Sequence, residues 1–226
     1  MAVTMVVAII SCKKDEPIII HYGADGKTPL PEAVDIGLNV CWASFNLGAS
    51  RWYEYGSYFA WGETEAKDDY SQATYGYSEN PSALPEECDA ACVKLGGGWR
   101  MPTKGEIGSL VSTQSNPDYL WEYIMARDAK KKVIRDADGR IITGLRITYL
   151  PNGNSIFLPS AGLKQGKNTF QGANGFGDYW SNALHDSSAG IHMHFHEEDN
   201  GSVNASATYC TARCYGMPIR PVYFAE

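Results

Sequence analysis

The sequence predicts an α+β domain of short antiparallel strands, a few short helices and long loops, and three observations carry that reading. Glycine is abundant, with 23 residues in 226, and Tyr and Trp are frequent, while long Ala/Leu/Glu/Lys runs are scarce. That composition favours short strands joined by tight turns. Leu145 to Leu150, then Pro151-Asn152-Gly153-Asn154, then Ser155 to Pro159 reads as a hairpin with Asn-Gly at its turn. The stretch from Gly96 to Thr103 turns one short helix into the next. Its glycines permit positive φ, Trp99 supplies a large apolar side chain, and Pro102 stops any helix from running through. Thr103 and Glu106 form the pattern of a capping box ahead of Ile107, Leu110 and Val111.

In chain order, Met1 to Ile10 is apolar but too short to cross a bilayer, and Ile9-Ile10-Ser11-Cys12 resembles a bacterial lipobox. The resemblance implies cleavage before Cys12 and acylation of its thiol, so that residues 1–12 are a signal peptide and the protein is held by lipid. Lys13-Lys14-Asp15-Glu16-Pro17 resembles the export signal that sends lipoproteins of Bacteroidetes-type bacteria to the cell surface. Residues 13–31 read as a linker with a short strand at Ile18 to Tyr22, and a folded domain is expected over 32–226. Val34 to Ala43 alternates apolar and polar or small residues as a half-buried strand does, and Tyr58 to Glu63 reads as a more apolar strand. Between Glu63 and Pro85 lies a long polar loop with Tyr70, Tyr75 and Tyr77. Pro85 to Leu95 carries a short helical pattern, and Leu120, Tyr123 and Ile124 suggest a third helix over about 117–129. Gly172 to Asp178 reads as irregular, and strands are expected at Tyr179–Ala183, Gly190–His196, Val203–Cys210 and Met217–Phe224. No repeat is visible at periods of 20–50 residues, the range of solenoids and propellers.

Six segments in order resemble the Fibrobacter succinogenes major paralogous domain. They are Glu32 to Ala43, Tyr58 to Thr64, Gly97 to Thr103, Gly153 to Gly162, Tyr179-Trp180-Ser181 and Ile219 to Val222. That family is similar to C-type lectin-like folds and to relatives of formylglycine-generating enzymes. The resemblance implies a curled antiparallel sheet with flanking helices, a surface or secreted location, and no established reaction or catalytic residues. Lectin-like folds often tie the first helix to a C-terminal strand, which implies that Cys88 or Cys92 joins Cys210 or Cys214. Cys41 is then expected as the buried free thiol.

The formal net charge of −7 disfavours nucleic acid, and Lys130-Lys131-Lys132, followed by Asp136 and Asp138, reads as a solvated face. The C-x₃-C spacing of Cys88/Cys92 and of Cys210/Cys214 suggests metal in a cytosolic protein, but disulfides in an exported one. His192, His194 and His196 alternate with Ile191, Met193 and Phe195, which puts the imidazoles on one strand face. Two imidazoles about 6.5–7 Å apart along the strand can share a metal ion, with His185, Glu197 or Asp199 as third ligand, whereas three spanning about 13 Å cannot. No phosphate loop, nucleophile elbow or zincin helix motif is present, nor the Glu-Pro-Asn or Gln-Pro-Asp tripeptide of calcium-dependent lectins. The expectation is a lipid-anchored surface protein without cofactor, binding a glycan or other surface polymer through Tyr70, Tyr75, Tyr77, His192 and His194. The alternatives are a metal-dependent or formylglycine-generating-like enzyme, with His192, His194 and His196 at a metal, and a structural envelope or fimbria-associated subunit.

Overall fold

A computed structural model describes residues 21–170 and 175–224. Cys12 and the lipobox, the charged run after it, and Ile18 to Ile20 lie outside the described residues. The architecture is α+β, mostly antiparallel strands with few short helices. The first strands are β1 (Ala33–Val34) and β2 (Cys41–Ala43), where the alternation suggested a single long strand. Gly37 at φ 74°, with its N–H donated to Asp35 Oδ1 at 2.8 Å, folds the chain back between them and buries Ile36. Helix α1 (Ala90–Leu95) is capped by Asp89, which accepts N–H bonds from Ala91 and Cys92, and β3 (Trp99–Arg100) follows the three left-handed glycines. Helix α2 (Lys104–Ser112) starts in a complete capping box between Thr103 and Glu106.

The segment expected to be a third helix is a strand, β4 (Tyr119–Met125). Tyr119, Trp121 and Tyr123, two apart, pack on the main core, while Leu120 and Met125 are exposed. A period of two therefore outcompetes the helical spacing of Leu120, Tyr123 and Ile124. β5 (Thr143–Tyr149) and β6 (Ser155–Pro159) form the expected hairpin, and β4 pairs with β5. β7 (Leu163–Gln165) and β8 (Asn168–Phe170) make a small ribbon. β9 (Phe176–Leu184), β10 (Ala189–Glu197) and β11 (Val203–Ala212) make a meander ordered β11-β10-β9. β9 begins inside the stretch expected to be irregular. The last strand is only β12 (Val222–Tyr223), which sits between β2 and β3 in the order β1-β2-β12-β3. Tyr58 to Glu63 belongs to no ladder. It is an extended buried segment in which Phe59 exchanges backbone hydrogen bonds with Met217 and Trp61 donates to the Arg213 carbonyl. Residues 21–31 are not a bare tether either, because Tyr22 bridges Pro29 and Ala24 donates to the Leu95 carbonyl at the end of α1.

The main core lies between α2, the inner faces of both three-stranded sheets and β2/β12, with Trp42, Leu110, Leu145, Tyr179, Met193 and Phe195 at its centre. A second cluster gathers Trp61, Trp99, Trp180 and Met217 under α1. Between them runs Arg220, 1% exposed, whose guanidinium donates to Asn46 Oδ1, the Ala43 carbonyl and the Phe157 carbonyl at 2.7–2.9 Å. No carboxylate among the described residues forms an ion pair with it. Burial pulls its pKa down to about 10, so it stays a cation at neutral pH, held by neutral acceptors.

Candidate functional site

On β10 the core-facing set is as the alternation required, with Met193 and Phe195 in the main core. The opposite face is less wet than expected. His192 is buried, with Trp180 and Tyr209 as its neighbours across the strands. Buried Asp178 sits opposite His194, and its Oδ1 lies 2.8 Å from Nδ1 of His194 and 3.3 Å from Nδ1 of His192. Burial alone pushes the Asp178 carboxyl up, but the hydrogen bonds from His192 and His194 outweigh it and hold the pKa below the usual carboxylate value. His194 Nε2 then meets His196 Nδ1 at 3.2 Å, and His196 Nε2 faces Glu198 Oε1 at 3.3 Å. With the Nδ1–H of His194 donated to Asp178, Nε2 of His194 is the acceptor and Nδ1–H of His196 the donor in the contact between the two rings. Tyr209 stacks on His194 with ring centres 4.5 Å apart.

This chain corrects the metal alternative for His192, His194 and His196. Among the described residues no three His, Cys, Asp or Glu side chains are arranged to hold a metal ion. The reason is visible: Nδ1 of His194 is turned to Asp178 and its other nitrogen to His196, while Nδ1 of His192 lies 3.1 Å from the Met193 carbonyl and 3.3 Å from Asp178. His185 is exposed and lies near Asp186 instead.

The tyrosine loop is also corrected. Tyr70 is 0% exposed, with its hydroxyl donated to the Tyr58 carbonyl. Tyr75 donates to the Trp61 carbonyl at 2.7 Å, and its ring shares the Arg213 guanidinium with Trp61, at 5.5 and 5.6 Å. Tyr77 packs edge-on against Trp61. Burial pushes the Tyr77 hydroxyl up to about 12 and that of Tyr75 further. Tyr70 offers no face to a ligand, and the half-buried Tyr75 and Tyr77 close over Trp61. An open cleft of about 430 Å³ remains beside them, with Glu63, Glu65, Glu87 and Lys67 on its walls.

None of the five described cysteines is paired. The implied bond from Cys88 or Cys92 to Cys210 or Cys214 is not formed: Cys92 is turned to Asp89, Cys88 lies against Tyr77, and Cys210 sits exposed on β11 opposite Ile191. The buried thiol is Cys214, while Cys41 is only half-buried. Burial, then Asp89, raises the Cys92 thiol to about 12.

A second cleft, of about 540 Å³, lies on the outer side of the β4-β5-β6 sheet and is lined by Trp52, Tyr123, Ile124, Met125, Arg127 and Arg146. Trp52 is 39% exposed and is steadied by edge contacts to Phe157 at 5.0 Å and Tyr53 at 5.4 Å. Arg146 forks onto Glu122 across the strands. Tyr123 is fixed through its hydroxyl to Thr143 and Ser160. Trp52 carried no signal of period or motif in the sequence. Its only mark is the density of aromatics in Arg51-Trp52-Tyr53-Glu54-Tyr55, a loop too polar to be core.

Beside this cleft the link between β4 and β5 is a three-way junction. Ala126 donates to the Ile142 carbonyl, Ile142 to that of Ile134, and Ile134 to that of Ala126, closing a ring of backbone bonds of 2.8–3.1 Å among three residues spaced at eight-residue intervals. From the ring sprout two loops, 127–133 and 135–141, closed by the bridges Arg127–Val133 and Arg135–Ile141. Their sequences, Arg-Asp-Ala-Lys-Lys-Lys-Val-Ile and Arg-Asp-Ala-Asp-Gly-Arg-Ile-Ile, are variants of one octapeptide pattern that share Arg, Asp, Ala and the final Ile. In each, the Asp carboxylate accepts the N–H groups two and four residues on, and the Arg donates Nη1 to the carbonyl four residues on. Each turn then ends in a left-handed residue, Lys131 at φ 63° and Gly139 at φ 80°. This eight-residue period is too short to show among periods of 20–50.

No known family, no curated protein and no solved structure matches this chain.

Proposed function

We propose that the chain is a lipid-anchored surface protein of a bacterium whose lectin-like domain binds a glycan or other surface polymer without catalysis, at the Trp52 cleft. The observation that carries this reading is Trp52 itself. Its indole is partly exposed, held edge-on by Phe157 and Tyr53 so that little freedom is lost on contact, and flanked by guanidinium donors. A sugar ring matches that combination, with C–H faces for the aromatic surface and hydroxyls for the donors. Tyr70, Tyr75 and Tyr77 belong to the scaffold and not to the contact surface of this reading. The lectin-like assignment rests on the six sequence segments, and the anchor rests on Cys12. Trp52→Ala should abolish retention on polysaccharide in affinity electrophoresis with a melting temperature shift of only a few degrees. Unchanged retention sinks this site. Cys12→Ser should move the protein from the membrane to the soluble fraction.

The Asp178–His194–His196–Glu198 chain favours a second reading, acid–base catalysis on the outer face of β10. Asp178→Asn distinguishes the two: it leaves polymer retention intact under the first and removes a hydrolytic activity under the second.

A further inference from the structure

Resting on the Trp52 binding site above, we infer that the ligand is an anionic polysaccharide, one bearing carboxylate or sulfate groups, and that the 127–133 loop is the element that selects it. The two clefts differ in charge. The Trp52 cleft is lined by Arg127 and Arg146 and by no carboxylate, whereas the other carries Glu63, Glu65 and Glu87. Arg146 is already paired with Glu122. The free positive charge beside the cleft therefore comes from the loop, where exposed Arg127, Lys130, Lys131 and Lys132 form no ion pair among the described residues. Asp128, the loop's one acid, spends its Oδ1 on the N–H groups of Lys130 and Lys132.

The twin loop shows that the lysines are not demanded by the backbone. Residues 135–141 build the same turn with Asp138, Gly139 and Arg140 in their places, and there the charges cancel, two cations against two acids, with Arg140 paired to Asp136 and Asp138. Lys131 even occupies a left-handed position that its counterpart fills with glycine. A lysine triplet placed against the preference of its own fold, next to an aromatic cleft, in a chain of net charge −7, is a local attraction for anions and for little else on this surface. Duplex nucleic acid carries a charge about every 1.7 Å, far more than the four cations of one loop can match in a chain of net charge −7. A polysaccharide with one anionic group per sugar or per disaccharide can place a single group on the loop and a ring on Trp52.

Calorimetric titration of the full chain at low salt with dextran, polygalacturonate, dextran sulfate and duplex DNA tests this. At least one acidic polymer should bind about tenfold more tightly than dextran, three exposed charge pairs being each worth up to roughly a factor of five. The gap should close as salt rises. Replacing Lys130→Ala, Lys131→Gly and Lys132→Ala together should erase the preference, and the glycine keeps the turn in its twin's form. Preference for polygalacturonate or for dextran sulfate assigns the anionic group. Equal binding of dextran, or a preference that survives the triple change, overturns the inference and leaves the Trp52 site standing. DNA bound as tightly as either acidic polymer also overturns it. Binding of none of the four overturns both.

Discussion

The 127–133 and 135–141 loops share a backbone and an Arg-Asp-Ala start, and differ chiefly in the three turn residues, Lys130-Lys131-Lys132 against Asp138-Gly139-Arg140. Both are built alike, with an Asp carboxylate clamping two N–H groups, an Arg bridging to the carbonyl at the turn, and a closing bridge at the base. One exposes its lysines and puts one of them in the left-handed region. The other balances its charge and packs Asp136 beside Tyr55, whose hydroxyl burial pushes up to about 12. The pair teaches that a short motif fixes geometry through its Asp, Arg and apolar positions and leaves the turn residues free to carry something else.

The strongest way to break the comparison is to remove what the loops have in common. Ile142 is buried in the cluster of Ala126 and Phe157 under the ring, so Ile142→Ala should cost about 2–5 kcal/mol and loosen both loops, seen as a lower denaturation midpoint. Loss of protection in the 135–141 loop alone, with the 127–133 loop unchanged in hydrogen exchange, would mean the ring does not couple them. The two aspartates should then separate. Asp136→Ala removes a half-buried acceptor and should cost about 1–3 kcal/mol, whereas Asp128→Ala, at an exposed site, should cost about 0.5–1.5 kcal/mol by the same denaturation measurement. Reversed ranking would place the first loop, not the second, as the better-anchored one. The smallest effect sharpens the comparison most. Lys131→Gly should stabilise by up to about 1 kcal/mol, and Gly139→Lys should destabilise by about 1–2 kcal/mol, the signs following from which residue tolerates φ near 63–80°. A stabilised Gly139→Lys would show that the turns are not equivalent.

How far the sequence discloses such features depends on whether they are local. The Asn152-Gly153 hairpin, the Thr103/Glu106 capping box and the existence of strands at β9, β10 and β11, though not their pairing, were legible because each is fixed by residues within a few positions. β4 misread as helix because Leu120, Tyr123 and Ile124 fit one period and Tyr119, Trp121 and Tyr123 fit the other, and only pairing with β5 decides. Tyr58 to Glu63 has the composition of a strand, but its partners at Arg213 and Met217 are far off in sequence and hold it at single points. At the candidate site, the histidine face was legible and its partner was not, since Asp178 meets His194 only through the β9–β10 register. Trp52 had no pattern to announce it, because what makes it available is a neighbour from β6, Phe157.

The position of β12 between β2 and β3 bears on how the molecule comes into being. Val222 pairs with Trp42 on one side and Arg100 on the other, and two residues before it Arg220 joins Ala43, Asn46 and Phe157. A nascent chain on the ribosome that has not yet passed Val222 has both flanking strands and no strand to join them. Its hairpins can form early, but the central sheet must wait for contacts spanning much of the chain, and loop-closure entropy makes such contacts slow. The β4-β5-β6 and β9-β10-β11 sheets should therefore form before the docking of the two-residue β12 closes the central sheet.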